Sequence, residues 1–333
     1  MSRTAAPGTA TKGVRELFAQ GSPDDRRGPG TGAINAPPTV GRTAYDPTVI
    51  SDAPLPTELR DLFPGTTANG RTLSVPLPPG RLVQPEEDNG GRPAFWLSDQ
   101  PAAAGLWARL RAEHTRSGLW PLLLDALDDE DPEYRPWGNG EVLPGDMSAP
   151  AGHEPGALLA GWWAAHTTGD EEDDLSAAER LAVTAPFGRE WPGLARPLTG
   201  RTAPDLTADD LAEQLLAGHA SMRLGLVAAE RGADALAVAG WTGPMNHTND
   251  TGEVAAVLRD WENRFGARVV GLGFDTLLLS VSAPPTTEAQ ALAVAAEHFA
   301  FCPDNVWQGE APQTLSTYAQ RLLGDHSWVF WWD

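Results

Sequence analysis

Two polar side chains near the C-terminus could form a nucleophilic or metal-binding pair. His298 and Cys302 are four residues apart in a stretch with helical spacing, so both lie on one face of the predicted helix. A cysteine and a histidine placed in this way can act as nucleophile and base. However, Cys302 stands at the predicted helix C-terminus, before Pro303, where the helix dipole disfavours a thiolate. Packing in the core is therefore the default interpretation of Cys302.

A second group of polar residues directly follows that helix. Asp304 and Asn305 come after Pro303, and Trp307 lies a little further along the chain. These residues could form an exposed corner in which hydrogen-bond acceptors lie beside an aromatic ring. In the favoured alternative, Asp304 and Asn305 bond local backbone amides in an Asx-type turn while Trp307 packs. All three residues remain candidates for ligand binding.

Asn246 and His247 precede the start of another predicted helix. Free amides and the helix dipole favour an anionic group at such a position. Alternatively, Thr248, Asn249 or Asp250 simply caps the helix. The sequence leaves an anion site and a plain helix cap open.

Histidine and aspartate together could give the chain acid and base chemistry. A hydrolase or transferase would use His247 or His298 with Asp275 or Asp304. The commonest hydrolase signatures, Gly-x-Ser-x-Gly and His-Glu-x-x-His, are absent from the sequence. Gly271-Leu272-Gly273 precedes a predicted strand instead of a helix, so it predicts a tight turn and not a dinucleotide site.

The use of lysine and cysteine excludes further classes of chemistry. Lys12 is the only lysine and lies in a segment rich in proline and glycine, which argues against Schiff-base enzymes, P-loop proteins and kinases. One cysteine excludes intramolecular disulfides, cysteine-clamped zinc and cysteine-ligated iron-sulfur clusters. The acidic runs at 128–131 and 170–174 lack the spacing of a calcium loop. We therefore expect no cofactor and no bound metal.

The charge of the chain limits its partners. The formal net charge is -21, so the chain as a whole is repelled by a phosphate backbone and by an anionic lipid surface. The sequence contains neither a secretion signal nor an apolar run long enough to span a membrane. We expect a cytoplasmic protein without nucleic-acid or membrane partners, and its oligomeric state is open.

Three regions are predicted along the chain. Residues 1–44 are rich in glycine, proline, threonine and alanine, and this composition predicts a disordered tail. Residues 45–221 predict a smaller mixed α/β module. Its first strand begins at Leu73 and forms a hairpin across Pro78-Pro79-Gly80, with the prolines limiting it to a sheet edge. Residues 222–333 predict a C-terminal α+β domain.

The C-terminal region has the clearest pattern. Strands are predicted at 222–228, 268–273, 276–283 and 328–332, and helices at 250–265, from 284 to 301 and at 315–323. Segment 232–238 could be a short helix or another strand. The order strand, helix, strand, strand, helix, strand is that of a ferredoxin-like split βαβ sandwich. The predicted fold class is α+β.

Several strings in this region also resemble a known family. They are Trp261-Glu262-x-Arg264-Phe265-Gly266, Gly273-Phe274-Asp275-Thr276-Leu277, Ala296-Glu297-His298-Phe299-Ala300-Phe301-Cys302-Pro303-Asp304-Asn305 and Trp328-x-Phe330-Trp331-Trp332-Asp333. With them, residues 222–333 resemble the actinobacterial domain-of-unknown-function family numbered 4253. The resemblance implies a bacterial, cytoplasmic protein with this domain last in the chain. It implies no activity and no catalytic residues.

Three functions agree with the sequence. Because the usual catalytic constellations are missing, the leading hypothesis is a non-catalytic binding or interaction protein with a cleft for a protein or small-molecule partner. Thirteen tryptophans agree with it, since tryptophan is enriched in binding hot spots, although most must be core residues. The first alternative is a hydrolase or transferase with a His/Asp pair in the C-terminal domain. The second is an acidic neutralising or regulatory partner of a basic protein.

Overall fold

A computed structural model of the protein describes residues 53–87, 90–128, 131–168, 176–309 and 311–332. The disordered tail predicted for residues 1–44 lies outside these ranges, as does most of the two acidic runs. No helix in the described ranges is both long and apolar enough to cross a membrane.

One mixed sheet of seven strands organises the described residues. Its strands are β1 Gly80–Val83, β2 Phe95–Pro101, β3 Leu119–Leu124, β4 Arg223–Ala228, β5 Ala267–Leu272, β6 Thr276–Val281 and β7 Ser327–Trp331. They lie in the order β1-β2-β4-β3-β5-β6-β7. The pair of β3 with β5 is parallel, and the other neighbours are antiparallel.

Strand β4, from the predicted C-terminal domain, pairs with two strands of the predicted N-terminal module. It lies between β2 and β3 and is antiparallel to both. Since β4 belongs to the predicted C-terminal domain, the sheet continues across the boundary predicted between residues 221 and 222. The division into two modules stays a prediction.

The mixed strand and helix composition is confirmed, but the ferredoxin-like arrangement is not. A split βαβ unit needs parallel strands on either side of its helix. Here the first helix of the pattern connects β4 to β5. Both strands pair with β3, one antiparallel and the other parallel, so β4 and β5 run in opposite directions.

Helices cover both faces of the sheet. They are α1 Leu106–Ala112, α2 His114–Ser117, α3 Pro155–Thr168, α4 Ala177–Val183, α5 Pro204–Gly218, α6 Ala235–Ala239, α7 Thr251–Phe265, α8 Glu288–Phe301, α9 Asp304–Trp307 and α10 Leu315–Arg321, with 3-10 turns at Thr57–Leu62, Pro150–Gly152 and Gly232–Asp234. Every residue of β3 and β6 is buried, as expected for strands covered on both faces. The ambiguous segment 232–238 is helical.

The predicted N-terminal hairpin is wrong. β1 pairs with β2, while the segment near Leu73 forms only an isolated bridge between Pro54 and Thr72. Prolines have no amide hydrogen for a ladder, and the prolines before Gly80 interrupt any pairing there. β1 is nevertheless an edge strand, as the prolines predict.

Polar residues cap the two long helices of the C-terminal part, and Asp250 is one of the three caps predicted for the first of them. Asp250 accepts a hydrogen bond from the Gly252 amide through Oδ1 at 2.9 Å, and α7 follows. Thr287 and Gln290 form a capping box at the start of α8. Helix α7 ends at Gly266, whose φ of +62° is a conformation that favours glycine.

Candidate functional site

His298 is completely buried in the aromatic core. Its ring centroid lies 4.3 Å from that of Trp328, 4.8 Å from that of Phe330 and 5.1 Å from that of Trp261. Burial lowers the pKa of His298 well below its usual value. The imidazole is therefore neutral at neutral pH. Its Nδ1 atom lies 3.0 Å from the Tyr318 hydroxyl oxygen.

Asn305 and Cys302 satisfy the backbone of an edge strand. Asn305 Nδ2 donates to the Val329 carbonyl at 2.7 Å and to the Tyr318 hydroxyl at 3.2 Å. Cys302 Sγ donates to the Trp331 carbonyl at 2.9 Å. Both carbonyls belong to β7, whose outer edge would otherwise be unpaired. Burial raises the pKa of the Cys302 thiol well above its usual value, so this cysteine packs as a neutral thiol.

These contacts favour one tautomer of His298. The Tyr318 hydroxyl accepts from Asn305, so its single hydrogen is available for His298 Nδ1. The ring proton of His298 then lies on Nε2, which has no hydrogen-bond partner among the described residues. The neighbouring Trp328 ring is T-shaped to the imidazole, with 76° between the planes.

His247 has a different environment from His298. Its Nε2 lies 3.1 Å from Asp304 Oδ2, and its side chain is 23% exposed against 9% for that of Asp304. The backbone amides of His247 and Thr248 both donate to the Pro244 carbonyl, at 2.8 and 2.9 Å, and these bonds fix the turn that carries the imidazole. Asp304 is the first residue of α9. The pair thus connects the segment before α7 to the segment after α8.

His166, near the end of α3, lies against this pair. Its ring centroid is 6.0 Å from that of His247 and 5.7 Å from that of the half-buried Trp307. Its Nε2 lies 3.2 Å from the Ala300 carbonyl oxygen. Burial and, to a smaller extent, the nearby His247 lower the pKa of His166 to about 4, although Ala300 and Asp304 act in the opposite direction. His166 is therefore neutral at neutral pH, with Nε2 as donor and Nδ1 as acceptor.

We term His166, His247, Asp304 and Trp307 the histidine corner. Sequence reasoning identified His247, Asp304 and Trp307 as candidates, and the structure brings these three together with His166. Sequence reasoning did not single out His166. Packing of α3 against α8 brings His166 to the corner, and no local pattern signals this packing.

The candidates Asn246 and Asp275 are not part of the histidine corner. Asn246 is exposed next to His247. Asp275 lies in the turn between β5 and β6, where its Oδ1 accepts from the Thr276 hydroxyl at 2.8 Å. Its carbonyl accepts the amide of Trp332 at 3.1 Å. These contacts of Asp275 are local to the turn and the neighbouring end of β7.

The start of α7 favours the helix cap over the anion site. Asp250 Oδ1 accepts the amides of Gly252 and Ser148, at 2.9 and 3.0 Å. The Thr251 amide lies 3.1 Å from Met147 Sδ. Burial favours the neutral acid, but the hydrogen bonds from Ser148 and Gly252 lower the pKa of Asp250 overall. The first amides of α7 thus have partners within the chain.

Fold and site together define a mixed α/β protein with a polar histidine corner beside a closed aromatic core. Within the described ranges, no group of three or more His, Cys, Asp or Glu side chains is arranged to hold a metal ion. Residues 223–333 match the model of a family described as a domain of unknown function, DUF4253, which confirms the resemblance of the C-terminal part. The match includes His247 and Asp304 but not α3 with His166. Comparisons with curated proteins and with solved structures found no match for the chain.

Proposed function

We propose that the protein is a binding protein that recognises a protein or small-molecule ligand at the histidine corner. The observation that carries this proposal is the contact of 3.1 Å between His247 Nε2 and Asp304 Oδ2, with His166 and Trp307 beside it. Three separate stretches of the chain contribute these side chains. Polar groups held in this way orient a ligand, because their geometry is fixed before binding.

The chemistry of the corner favours a ligand that donates hydrogen bonds and has an apolar part. His166 Nδ1 is an acceptor, since its Nε2 proton is directed to Ala300. Trp307 provides an aromatic surface. Met245, which is 57% exposed, lies two residues before His247 and provides a flexible thioether that adapts to apolar groups.

A hydrolase or transferase is the second candidate, and the same His247–Asp304 contact favours it. Asp304 accepts a hydrogen bond from Nε2 and would stabilise a protonated imidazole, while Nδ1 of His247 can take a proton from water or a substrate hydroxyl. Cys302 is buried against β7 and is not available to the corner as a nucleophile. In this mechanism the nucleophile would be water or a second substrate.

Native mass spectrometry of the gently purified protein tests the binding proposal. We expect a stoichiometric extra mass that is absent from His247→Gln and Asp304→Asn. The matched controls are His326→Gln and Asp146→Asn, which alter exposed residues away from the corner. A wild-type chain without any added mass, or a mass that persists in both corner variants, would contradict the proposal.

A substrate panel separates the two candidate functions. The purified protein is incubated with chromogenic esters, phosphate esters and acyl donors. Turnover that is lost in His247→Gln and kept in His326→Gln would replace the binding proposal with the enzyme. Absence of turnover, together with a ligand released unchanged from the wild type, supports a binding protein.

A further inference from the structure

A cleft lies beside β1, at the opposite edge of the sheet from β7. Its volume is about 490 Å³, which is within the size range of small-molecule sites. Phe63 and Pro93 are buried in its wall, with the half-buried Leu82 next to them. Arg60 and Arg92 are exposed on its rim. We term these residues the arginine cleft.

No carboxylate of the described residues pairs with either arginine of the cleft. The chain has 45 acidic and 24 basic residues, so carboxylates are in excess, and Arg111, for example, is paired with Asp209 at 2.7 Å. In the described ranges, neither Arg60 nor Arg92 has a carboxylate within salt-bridge distance. Arg60 donates from Nε to the Leu55 carbonyl at 3.2 Å, and this bond orients the guanidinium without neutralising its charge.

The described lining of the cleft is open and largely polar, and it combines two arginines with a smaller apolar part at Phe63, Leu82 and Pro93. Asp61 is the one carboxylate among its described lining residues, so Arg60 and Arg92 give the lining a net positive charge in a chain whose formal charge is -21. The Arg71 guanidinium lies 4.7 Å from the centroid of the Phe63 ring and supports this part of the wall. A ligand that fits would be anionic at one end and apolar at the other.

We infer that the arginine cleft binds a small organic oxyanion, a carboxylate or a phosphate, whose apolar group packs on Phe63 and Leu82. Guanidinium groups bind both oxyanions because their planar N–H donors match paired oxygens. This site is independent of the histidine corner. It also differs from the anion site considered at the start of α7, where the helix amides already have partners.

Isothermal titration calorimetry with four probes tests the inference. Benzoate and phenyl phosphate carry the anion on an aromatic ring, benzamide is the neutral analogue, and inorganic phosphate lacks the ring. We expect one or both aromatic anions to bind, benzamide not to bind, and inorganic phosphate to bind more weakly than phenyl phosphate. The comparison of benzoate with phenyl phosphate identifies the preferred oxyanion. Affinity should fall as salt is raised.

Arginine variants connect this binding to the cleft. Arg60→Gln and Arg92→Gln should each weaken binding about tenfold or more, and the double variant should abolish it. The control is Arg109→Gln on α1, whose guanidinium is exposed and donates to the Gly105 carbonyl at 3.3 Å. Both cleft arginines are exposed, so the melting temperatures of these variants should stay close to that of the wild type.

Three results would overturn the inference. They are no binding of either aromatic anion, binding of benzamide as tight as that of the preferred aromatic anion, and unchanged affinity in the double arginine variant. His247→Gln should leave these affinities unchanged. The experiments therefore distinguish a wrong proposal for the arginine cleft from a wrong proposal for the histidine corner.

Discussion

The two histidines proposed from the sequence differ because of what surrounds them. His298 lies among aromatic rings, and its bonded nitrogen contacts a buried tyrosine hydroxyl. His247 is partly exposed, and its bonded nitrogen contacts a carboxylate. The first arrangement keeps an imidazole neutral and fixed, whereas the second leaves one accessible beside a carboxylate. His298 is thus a core residue, while ligand recognition by His247 is our proposal.

The two polar residues next to each other in α9 show the same contrast. Asp304 contacts His247, while Asn305 faces inwards and donates to β7. Both residues are almost fully buried. Asp304 therefore belongs to the corner and Asn305 to the core because of their hydrogen-bond partners, and not because of a difference in burial.

Removal of core volume around His298 should give the largest effect. Phe330→Ala deletes a ring that contacts His298, Trp261 and Phe301, so the free energy of unfolding should fall by about 3–5 kcal/mol. Urea denaturation measures this loss. Met245→Ala, at the exposed side of the corner, is the control and should change stability by no more than about 0.5 kcal/mol. Equal losses in the two variants would remove the distinction between core and corner.

Loss of the Asn305 side chain should have an intermediate effect. Asn305→Ala leaves the Val329 carbonyl without its donor, so stability should fall by about 1–3 kcal/mol. Hydrogen exchange measured by mass spectrometry should increase in β7. The exposed Asn246→Ala is the control. If Asn305→Ala keeps wild-type stability but no longer binds the ligand, Asn305 is a residue of the binding site and not of the core.

Protonation of the buried histidines should destabilise the fold in acid, whereas burial raises the pKa of Asp325 to about 6 and this group acts in the opposite direction. The pKa of His166 is about 4 in the folded protein and about 6.5 in the unfolded chain. Between these values the unfolded chain binds more protons, so the free energy of unfolding falls as pH is lowered from about 6.5 towards about 4. The pKa of His298 is lowered too and acts in the same direction.

The slope of stability against pH measures this effect. Each such histidine contributes up to about 1.4 kcal/mol per pH unit. His166→Gln should reduce the slope, because glutamine keeps a donor for Ala300 but does not titrate. If His166→Gln leaves the slope of stability against pH unchanged, the pKa of His166 is the same in the folded and unfolded states.

The smallest effect on stability should come from His247 itself. His247→Gln removes a partly exposed ring and should change the free energy of unfolding by no more than about 0.5 kcal/mol, while the ligand mass is lost. Thermal unfolding and native mass spectrometry of the same sample measure both effects. A strongly destabilised His247→Gln would instead make the His247–Asp304 contact a structural one.

Local signals explain which parts of the fold could be predicted. Helix α7 was predicted from Asp250 to Phe265 and runs from Thr251 to Phe265, because its cap, apolar spacing and terminal glycine all lie within one stretch. The β5–β6 hairpin is likewise confirmed, since its strands are neighbours in the sequence.

Long-range pairing explains what could not be predicted. β4 takes its place between β2 and β3, and the strength of those pairs depends on side chains far away in the sequence. His166 joins the corner through the packing of two helices, and its own stretch contains no polar pattern that predicts a site. The histidine corner was therefore predictable in three of its residues, while its position beside α3 was not.

Chemical modification of histidines by diethyl pyrocarbonate, mapped by peptide mass spectrometry on the native protein, tests the central comparison most directly. His247 should be modified, its modification should be slowed by bound ligand, and His298 should react only after unfolding. Modification of His298 at the rate of His247 in the folded protein, or labelling of His247 that is indifferent to the ligand, would contradict the assignment of the site to the histidine corner.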